Sequence, residues 1–278
     1  MHVARTLPEL VDHCTRLRER RAALALVPTM GALHAGHRAL VDAAVRTGAA
    51  AVTSIFVNPL QFAPTEDLSR YPRDEAGDLA TLDACGCDLV WMPDVATMYP
   101  PGGATAVDPA GPAERWEGTH RPGHFRGMAT VVAKLFGQVR PDVAFFGEKD
   151  WQQLQVVTRM VADLHLPLRI AGVPTVREAD GLALSSRNRF LSEAERRLAP
   201  NLYKALAQAA RAIASRGKSA EPLQAAHAAL SADGFGIDYL ALVDGPTLEP
   251  IAAARPDARL IAAARLGTVR LLDNVPVD

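Results

Sequence analysis

The chain has 278 residues, of which 49% are apolar and 22% charged, and its formal net charge is −1 at pH 7. This balance is typical of a globular protein. It excludes a disordered polyelectrolyte and lacks the basic excess of a nucleic-acid-binding protein. The length exceeds what one compact core usually needs, so we expect one large and one small domain.

Cysteine content and hydropathy indicate the compartment. The three cysteines, Cys14, Cys85 and Cys87, are too few and odd in number for a disulfide framework, which favours a reducing environment. The first eight residues lack the basic and apolar regions of a signal peptide. No apolar run approaches the ~20 residues of a membrane span. We therefore expect a cytoplasmic protein.

The first two thirds of the chain alternate between short apolar segments and amphipathic stretches. The predicted strands are residues 23–27, 51–57, 88–92, 142–146 and 168–173. The predicted helices are residues 38–46, 74–84, 127–139 and 150–164. Such alternation predicts a Rossmann-like, doubly wound parallel sheet, for which we expect the strand order 3-2-1-4-5. The connections 58–73 and 93–125 are rich in proline and polar residues and are predicted as loops.

The pattern changes after about residue 175. Ser192 and Glu195 form a predicted capping box for one long helix running from residue 193 towards 216. Predicted strands follow at 236–243, 259–264 and 268–272, the last two joined as a hairpin through residues 265–267. We therefore predict a nucleotide-binding domain over residues 1–175 and a smaller α+β domain over residues 176–278.

A turn with two histidines directly follows the first predicted strand, in the sequence PTMGALHAGH of residues 28–37. A strand-to-helix turn favours anions, because main-chain N–H groups and the helix dipole point outward there. His34 and His37 are three residues apart, and Gly36 leaves room for a phosphate beside the backbone. Two imidazoles can stabilise the charge that develops as pyrophosphate leaves. The alternatives are a histidine metal pair or two unrelated surface histidines.

Other polar motifs follow later strands. FFGEKDWQQ at residues 145–153 offers Lys149 as a point charge for phosphate oxygens, with Asp150 either capping the next helix or acting in the site. LSSRNR at residues 184–189 combines Ser185, Ser186 and Arg187, which suits a phosphate clamp but is common in solvated loops.

Two further motifs suit a small organic acid. SIFVNPLQF at residues 54–62 places Gln61 among apolar residues, where it can bind a hydroxylated ligand or satisfy a loop carbonyl. RPGHFRG at residues 121–127 opens a predicted helix with basic residues that can hold a carboxylate. In the expected strand order, the polar loops meet at the carboxyl ends of the strands, where doubly wound sheets bind ligands.

Together these motifs resemble the pantothenate synthetase (pantoate–β-alanine ligase) family of the nucleotidyltransferase superfamily, which carries the H-x-G-H motif. The resemblance covers residues 27–37, 54–62, 121–127, 146–153 and 173–192. It implies ATP-dependent condensation of pantoate with β-alanine to pantothenate, through a pantoyl adenylate, with release of AMP and pyrophosphate. It also implies Mg²⁺, a homodimer and a smaller domain that closes over the site. The sequence identifies no Mg²⁺ ligands.

The resemblance also implies roles for individual residues. The residues implied to be catalytic and to contact the ATP phosphates are His34, His37, Lys149, Ser185, Ser186 and Arg187. Those implied to complete the ATP site are Met30, Gly36, Gly147 and Asp150. Those implied to bind pantoate are Pro28, Met30, Asn58, Gln61 and Gln153. Arg121 is the candidate for β-alanine.

Three other functions compete with this interpretation. A nucleotidyltransferase acting on a phosphorylated substrate calls for a more basic pocket than Gln61 and Gln153 provide. A regulatory module that binds nucleotide without turnover is disfavoured by the presence of both histidines, Lys149 and the serine-arginine loop. A metallohydrolase would need a third ligand at a recognisable spacing from His34 and His37.

Overall fold

The computed structural model describes residues 1–62, 68 and 71–277. The chain divides into two compact units. The first comprises Met1–Glu148 and Val156–Pro174, and the second comprises Lys149–Gln155 and Thr175–Asp278. The segment Lys149–Gln155 thus groups with the second unit although it precedes residue 175. Part of the predicted loop 58–73, namely residues 63–67 and 69–70, lies outside the described residues.

The first unit contains a parallel sheet with helices. Its strands are β1 (His2–Ala4), β2 (Leu24–Thr29), β3 (Ala50–Ile55), β4 (Leu89–Trp91), β5 (Val143–Gly147) and β6 (Arg169–Val173). Its helices are α1 (Leu7–Arg20), α2 (Ala35–Arg46), α3 (Glu75–Ala84), α4 (Val95–Met98), α5 (Glu117–His120), α6 (His124–Val139) and the later turns of α7 (Trp151–Asp163).

The strand order is β1-β4-β3-β2-β5-β6, and every pairing is parallel. The five predicted strands therefore take the expected order 3-2-1-4-5. The prediction of five strands was nevertheless one short, because β1 extends the sheet at its edge beside β4. Strand β1 has only three residues, one of them polar, so its sequence shows no strand pattern. It is a strand because it pairs with β4.

Burial on both faces explains the continuous apolar runs. Leu24–Val27 of β2 are fully buried, as are the first four residues of the neighbouring strand β3. Ala25 and Val27 pack against α2 in one core cluster, while α1 and α6 also contact β2 and each other. Among the described residues, no helix is long and apolar enough to cross a membrane.

The second unit has its own core between helices and an antiparallel sheet. Its helices are α8 (Glu193–Leu198), α9 (Asn201–Arg216) and α10 (Ala220–Ala232), and its strands are β7 (Gly236–Asp244), β8 (Ala258–Leu266) and β9 (Val269–Pro276). The sheet order is β7-β8-β9. Leu206, Ile213 and Leu260 are among the fully buried residues of this core.

Two predictions for this unit need correction. The single long helix from residue 193 is two helices, because Pro200 has no N–H with which to continue α8. The predicted capping box of Ser192 and Glu195 is present at the start of α8. The hairpin turn is shorter than predicted: Leu266 pairs with Val269, which leaves a two-residue turn at residues 267–268. Helix α10 was not predicted.

Candidate active site

In the first unit, a buried carboxylate on another helix fixes the loop between β2 and α2 through hydrogen bonds. Gly31 and Ala32 both adopt left-handed backbone conformations, with φ of 81° and 52°. The carboxylate of Asp78, on α3, accepts hydrogen bonds from the main-chain N–H groups of Ala32 (2.8 Å) and Leu33 (2.7 Å). A Cβ atom on Gly31 would lie 2.8 Å from this carboxylate. The close approach and the left-handed backbone together require glycine there.

The two histidines cap the helix that they introduce. His34 is the N-cap of α2, and its Nδ1 accepts a hydrogen bond from the N–H of Gly36 at 3.1 Å. His37 is the third helical residue, and its Nδ1 accepts from the N–H of His34 at 3.3 Å. The imidazole ring centroids lie 4.1 Å apart. The predicted pairing of these side chains is therefore present, although His34 precedes the helix instead of lying in its first turn.

These contacts define the tautomer of both rings. A nitrogen that accepts a hydrogen bond from a main-chain N–H carries no hydrogen, so in the neutral imidazoles of His34 and His37 the hydrogen is on Nε2. In each ring the Nε2–H group lies on the side opposite the Nδ1 that caps the helix. Two such donors at the carboxyl end of a parallel strand suit an anion such as a phosphate.

A buried amide pair lies near this turn in the same unit. Gln61 Nε2 lies 3.0 Å from the Met30 sulfur, and Gln61 Oε1 accepts from Asn58 Nδ2 at 3.1 Å. Asn58 is 1% exposed, and its Oδ1 accepts from the Tyr99 hydroxyl at 2.7 Å. Burial raises the pKa of Tyr99 to about 12, so this hydroxyl remains a donor. The orientation of Gln61 is thus set by hydrogen bonds, as a ligand-binding amide requires.

Close backbone packing places the segment that carries Gln61. The 3₁₀ helix Pro59–Gln61 lies against α6 at Gly127. A Cβ atom on Gly127 would come within 2.0 Å of the Leu60 carbonyl oxygen and 2.8 Å of the Gln61 nitrogen. Asn58 Nδ2 donates to the Gly127 carbonyl at 3.1 Å and joins the same two segments. Only glycine allows this approach.

Arg121, the candidate for β-alanine, contacts the main chain behind Gln61. Its Nη2 donates to the Gln61 carbonyl at 3.4 Å, and its Nη1 lies 3.1 Å from His124 Nε2. His124 Nδ1 lies 2.8 Å from the same carbonyl, which requires the hydrogen on Nδ1 and leaves Nε2 to accept from Arg121. Arg121 also lies 3.9 Å from the Glu117 carboxylate. These contacts support the Gln61 segment, whatever Arg121 binds in addition.

The second unit carries the lysine motif. Gly147, at the end of β5, and Glu148 belong to the first unit, and Lys149 begins the second. Lys149 Nζ lies 3.2 Å from Asp150 Oδ1, and Asn274 Nδ2 donates to the Lys149 carbonyl at 2.9 Å. Trp151 starts α7; its Nε1 donates to the Gly245 carbonyl at 2.8 Å. Gln153 is in the first turn of α7, as predicted.

The serine-arginine loop belongs to the second unit as well. Ser185 caps the 3₁₀ helix Ser186–Phe190, and its hydroxyl accepts from the Arg187 N–H at 3.3 Å. Asn188 Nδ2 donates to the Ala183 carbonyl at 3.0 Å. The loop therefore has a defined conformation in which Ser186 and Arg187 occupy its first turn. The candidate residues thus form two groups, one in each unit, and each group is ordered by its own contacts.

Some residues of these groups were missed by sequence reasoning. Asp78 supports the histidine turn, and Tyr99 supports Asn58. A signal for Asp78 was available, because it lies four residues before the buried Leu82 on the inward face of α3. A carboxylate in a buried stripe needs partners. Within the described ranges, no group of three or more histidine, cysteine, aspartate or glutamate side chains is arranged to hold a metal ion.

Comparison with known proteins identifies similar chains. The family model described as pantoate-beta-alanine ligase matches residues 2–276. A pantothenate synthetase from Granulibacter bethesdensis is 60% identical over 277 residues, which are 99% of this chain and 96% of that protein. A pantothenate synthetase from Rhizorhabdus wittichii is 58% identical over 279 residues, which are 100% of this chain and 99% of that protein.

Solved structures give the same result. The pantothenate synthetase from Thermus thermophilus has a TM-score of 0.94 and 51% identity, with 100% of this chain and 99% of that chain covered. The pantoate-beta-alanine ligase from Francisella tularensis, solved in complex with beta-gamma ATP and beta-alanine, has a TM-score of 0.84 and 31% identity. That comparison covers 99% of this chain and 97% of the other.

Proposed function

The chain belongs to the pantoate-beta-alanine ligase family, and on this premise we propose that it condenses pantoate with β-alanine in a reaction driven by ATP. It is an AMP-forming ligase that makes the amide bond of pantothenate and releases AMP and pyrophosphate. The observation that supports this proposal is the pair of imidazoles after β2, which cap α2 through their Nδ1 atoms and whose ring centroids lie 4.1 Å apart.

The first step joins pantoate to AMP. Pantoate's carboxylate is ionised at neutral pH, so it attacks the α-phosphorus without a general base, and the bond to the bridging oxygen of pyrophosphate breaks. We propose that His34 and His37 donate to the phosphates as charge moves onto the leaving group. Lys149, Ser185, Ser186 and Arg187 hold the same phosphates from the second unit, with Met30, Gly36, Gly147 and Asp150 completing the ATP site.

Pantoate is assigned to the amide pair of the first unit. Gln61 and Asn58 are buried, and Asn58 Nδ2 donates a hydrogen bond to Gln61 Oε1, while Met30 adds an apolar surface. This mixture suits a small acid that has hydroxyl and methyl groups. Pro28 and, from the second unit, Gln153 complete the proposed pantoate contacts. A phosphorylated acceptor, the substrate of the competing nucleotidyltransferase reaction, would require cations where this group presents amides.

The second step forms the amide. The β-alanine ammonium first loses a proton, for which water, the AMP phosphate and His34 are the candidate acceptors. The amine then attacks the carbonyl carbon of the mixed anhydride, the bond to the AMP oxygen breaks, and the nitrogen releases a second proton to solvent as the amide forms. Arg121 is proposed to bind the β-alanine carboxylate. The mixed anhydride must be shielded from water, since hydrolysis would discard it. We assign that shielding to the smaller domain, residues 176–278, acting as a lid over the nucleotide- and pantoate-binding domain, residues 1–175.

The proposed enzyme uses Mg²⁺, forms a homodimer and acts in the cytoplasm. Mg²⁺ keeps several waters and favours phosphate oxygens with one or two carboxylates, so we expect it to enter with ATP as the substrate MgATP. We propose a homodimer, which light scattering of the purified protein would test. The three free cysteines, Cys14, Cys85 and Cys87, suit the reducing cytoplasm, where we place the enzyme.

Product identification tests the function. The purified protein is incubated with ATP, Mg²⁺, pantoate and β-alanine, and the products are resolved by mass spectrometry. Equal amounts of pantothenate and AMP are expected. Parallel incubations replace pantoate with phosphorylated acceptors such as nicotinamide mononucleotide. A dinucleotide product without AMP would replace the ligase with the competing nucleotidyltransferase reaction. ATP binding without turnover of any substrate would favour a regulatory module.

A further inference from the structure

Two segments of the second unit that the proposed function assigns to the ATP phosphates are attached to neighbouring residues of β9. Asn274 Nδ2 donates to the Lys149 carbonyl at 2.9 Å. The adjacent Asp273 carboxylate accepts two hydrogen bonds from the Arg177 guanidinium, at 2.6 and 2.8 Å. Arg177 lies at the start of the segment that leads into Ser185. One strand therefore contacts both segments through consecutive side chains.

The Arg177–Asp273 pair is buried and geometrically constrained. The side chain of Asp273 is 3% exposed and that of Arg177 is 17% exposed. Arg177 also donates to the Gly181 carbonyl at 3.1 Å and to the Asn274 carbonyl at 3.3 Å, and it stacks 3.8 Å from the centroid of the Tyr203 ring. A buried bidentate pair of this kind fixes orientation as well as distance.

The constraint extends from Arg177 to the serine-arginine loop. Arg177 pairs with Ala183 in an antiparallel bridge, and the Leu184 N–H donates to the Val176 carbonyl at 3.0 Å. Asn188 then donates to the Ala183 carbonyl, which joins the bridge to the 3₁₀ helix Ser186–Phe190. That helix also packs against β9. The position of the loop thus follows from the position of Asp273.

We propose that Asp273 and Asn274 are positioning residues, which hold Lys149 and the Ser185–Arg187 loop at a fixed separation for the ATP phosphates. This inference rests on the proposed function of those segments. Asp273 and Asn274 act through other residues and touch no reacting atom. Displacement of a phosphate-binding group by about 1 Å is enough to lower the rate by as much as ~10²-fold, so loss of this attachment is expected to impair the use of ATP.

The primary test is Asn274→Ala, which removes the hydrogen bond to the Lys149 carbonyl. We expect the KM for ATP in pyrophosphate release to rise about 10-fold, because Lys149 loses its fixed position. The matched control is Asn201→Ala on α9, which removes a hydrogen bond to Asp233 in the same unit. Asn201→Ala also removes the hydrogen bond that Asn201 Oδ1 accepts from Lys204 Nζ at 3.2 Å, so it perturbs the same unit by the loss of amide hydrogen bonds. Only Asn274→Ala is expected to change the KM for ATP.

A double-mutant cycle with Lys149→Ala separates positioning from a merely structural role. If Asn274 acts through Lys149, adding Asn274→Ala to Lys149→Ala lowers kcat/KM by less than about twofold more. Multiplicative effects of the two substitutions would overturn the proposal, as would equal kinetics of Asn274→Ala and Asn201→Ala. Asn274→Ser, which is too short to reach the Lys149 carbonyl, replaces the alanine variant if that variant does not fold.

The failure of this inference is distinguishable from the failure of the proposed function. If wild-type protein forms no pantothenate, the proposed function fails, and this inference fails with it. If wild-type protein is active and the cycle shows independent effects, only the positioning role of β9 is overturned. The variant Asp273→Asn gives a second test, since it keeps the shape of the side chain but replaces one accepting oxygen with an NH2 group, which removes one of the two hydrogen bonds from Arg177. It is expected to raise the KM for ATP in the same direction.

Discussion

The two groups of candidate residues are held in different ways. In the first unit, His34 and His37 are fixed by hydrogen bonds to residues two and three positions away, and Asp78 supports the turn before them. In the second unit, Lys149 and the segment of Arg177 are fixed by β9, at separations of 125 and 96 residues. The histidine pair is therefore organised mainly by local structure, and the group of the second unit by the tertiary fold of that unit.

This difference predicts two kinds of mutational effect, namely the loss of a hydrogen-bond donor and the displacement of a donor that is still present. Substituting a histidine removes a donor but leaves most of the turn in place, because Asp78 and the left-handed residues still define it. Substituting a supporting residue of the second unit leaves every donor present but moves it. Five substitutions test this contrast, from the largest expected effect to the smallest.

Lys149→Ala is expected to lower turnover on the order of 10²–10³-fold, comparable to the loss of one preorganised donor to a developing charge. The measurement is steady-state pyrophosphate release with all three substrates. Lys204→Ala, which removes an exposed lysine on α9, is the control and is expected to behave as wild type. Wild-type turnover in folded Lys149→Ala protein would remove Lys149 from the active site.

His37→Ala is expected to lower turnover by a similar factor, on the order of 10²–10³-fold, because it removes one Nε2–H donor. It also removes the acceptor for the His34 N–H, at a cost of about 1 kcal/mol in the free energy of unfolding. Circular dichroism melts and pyrophosphate release together separate these two effects. His227→Ala, an exposed histidine on α10, serves as the comparison. Activity of His37→Ala equal to that of His227→Ala would contradict the assignment.

Gly127→Ala is expected to raise the KM for pantoate at least about 10-fold, because the new methyl group displaces Leu60 and with it Gln61. The matched control is Gly137→Ala in the same helix, where a Cβ atom would have no neighbour within 4 Å. That control is expected to leave the KM unchanged and to stabilise α6 by up to about 1 kcal/mol. Equal KM values for the two variants would show that pantoate does not depend on this segment.

Asp78→Asn is expected to lower kcat/KM for ATP about 10-fold, since an amide accepts from only one of the two N–H groups that the carboxylate holds. Burial raises the pKa of Asp78, and the nearby charge of Asp74 adds to the shift. As the pH falls through this raised pKa, the carboxyl gains a proton and loses an acceptor. The advantage of wild type over Asp78→Asn is therefore present at neutral pH and shrinks on acidification; a pH-independent ratio would contradict this role.

Trp151→Phe tests the smallest effect, on the support of the lysine motif. The change removes the hydrogen bond to the Gly245 carbonyl but retains an aromatic face for Arg259, whose guanidinium carbon lies 3.5 Å from the centroid of the Trp151 ring. We expect a loss of about 1 kcal/mol in the free energy of unfolding, measured by urea denaturation. Turnover is expected to fall by less than about threefold. A fall in turnover that corresponds to more free energy than the loss of stability would indicate that the indole takes a direct part in the reaction.

The sequence predicted those parts of the fold that local patterns determine. The buried runs at Leu24–Val27 and in β5 are unmistakable because both faces of a parallel sheet are covered. Strand β1 has no such pattern, since its pairing with β4 defines it. One helix was predicted where Pro200 separates two, because alanine-rich periodicity continues across the proline while its missing N–H interrupts the helix.

In the candidate site too, local motifs were predicted from the sequence and long-range contacts were not. The histidine pair stands out because motif and cap lie within four residues. Asp273 was missed, although it occupies the inward series of β9 between Leu271 and Val275, where an apolar residue is expected. An acidic residue in such a series indicates a buried partner, but a sequence alone does not show that Arg177 is that partner.

The most direct test of the proposed function is to measure which substrates the enzyme needs in order to release pyrophosphate from ATP. ATP and Mg²⁺ are mixed with enzyme and pantoate, and β-alanine is added only after the first phase is complete. An adenylate mechanism gives a burst of about one pyrophosphate per active site with pantoate alone, followed by continuous turnover and AMP formation once β-alanine is present. Pyrophosphate release that requires β-alanine from the start would contradict the adenylate mechanism, and no release in either phase would contradict the substrate assignment.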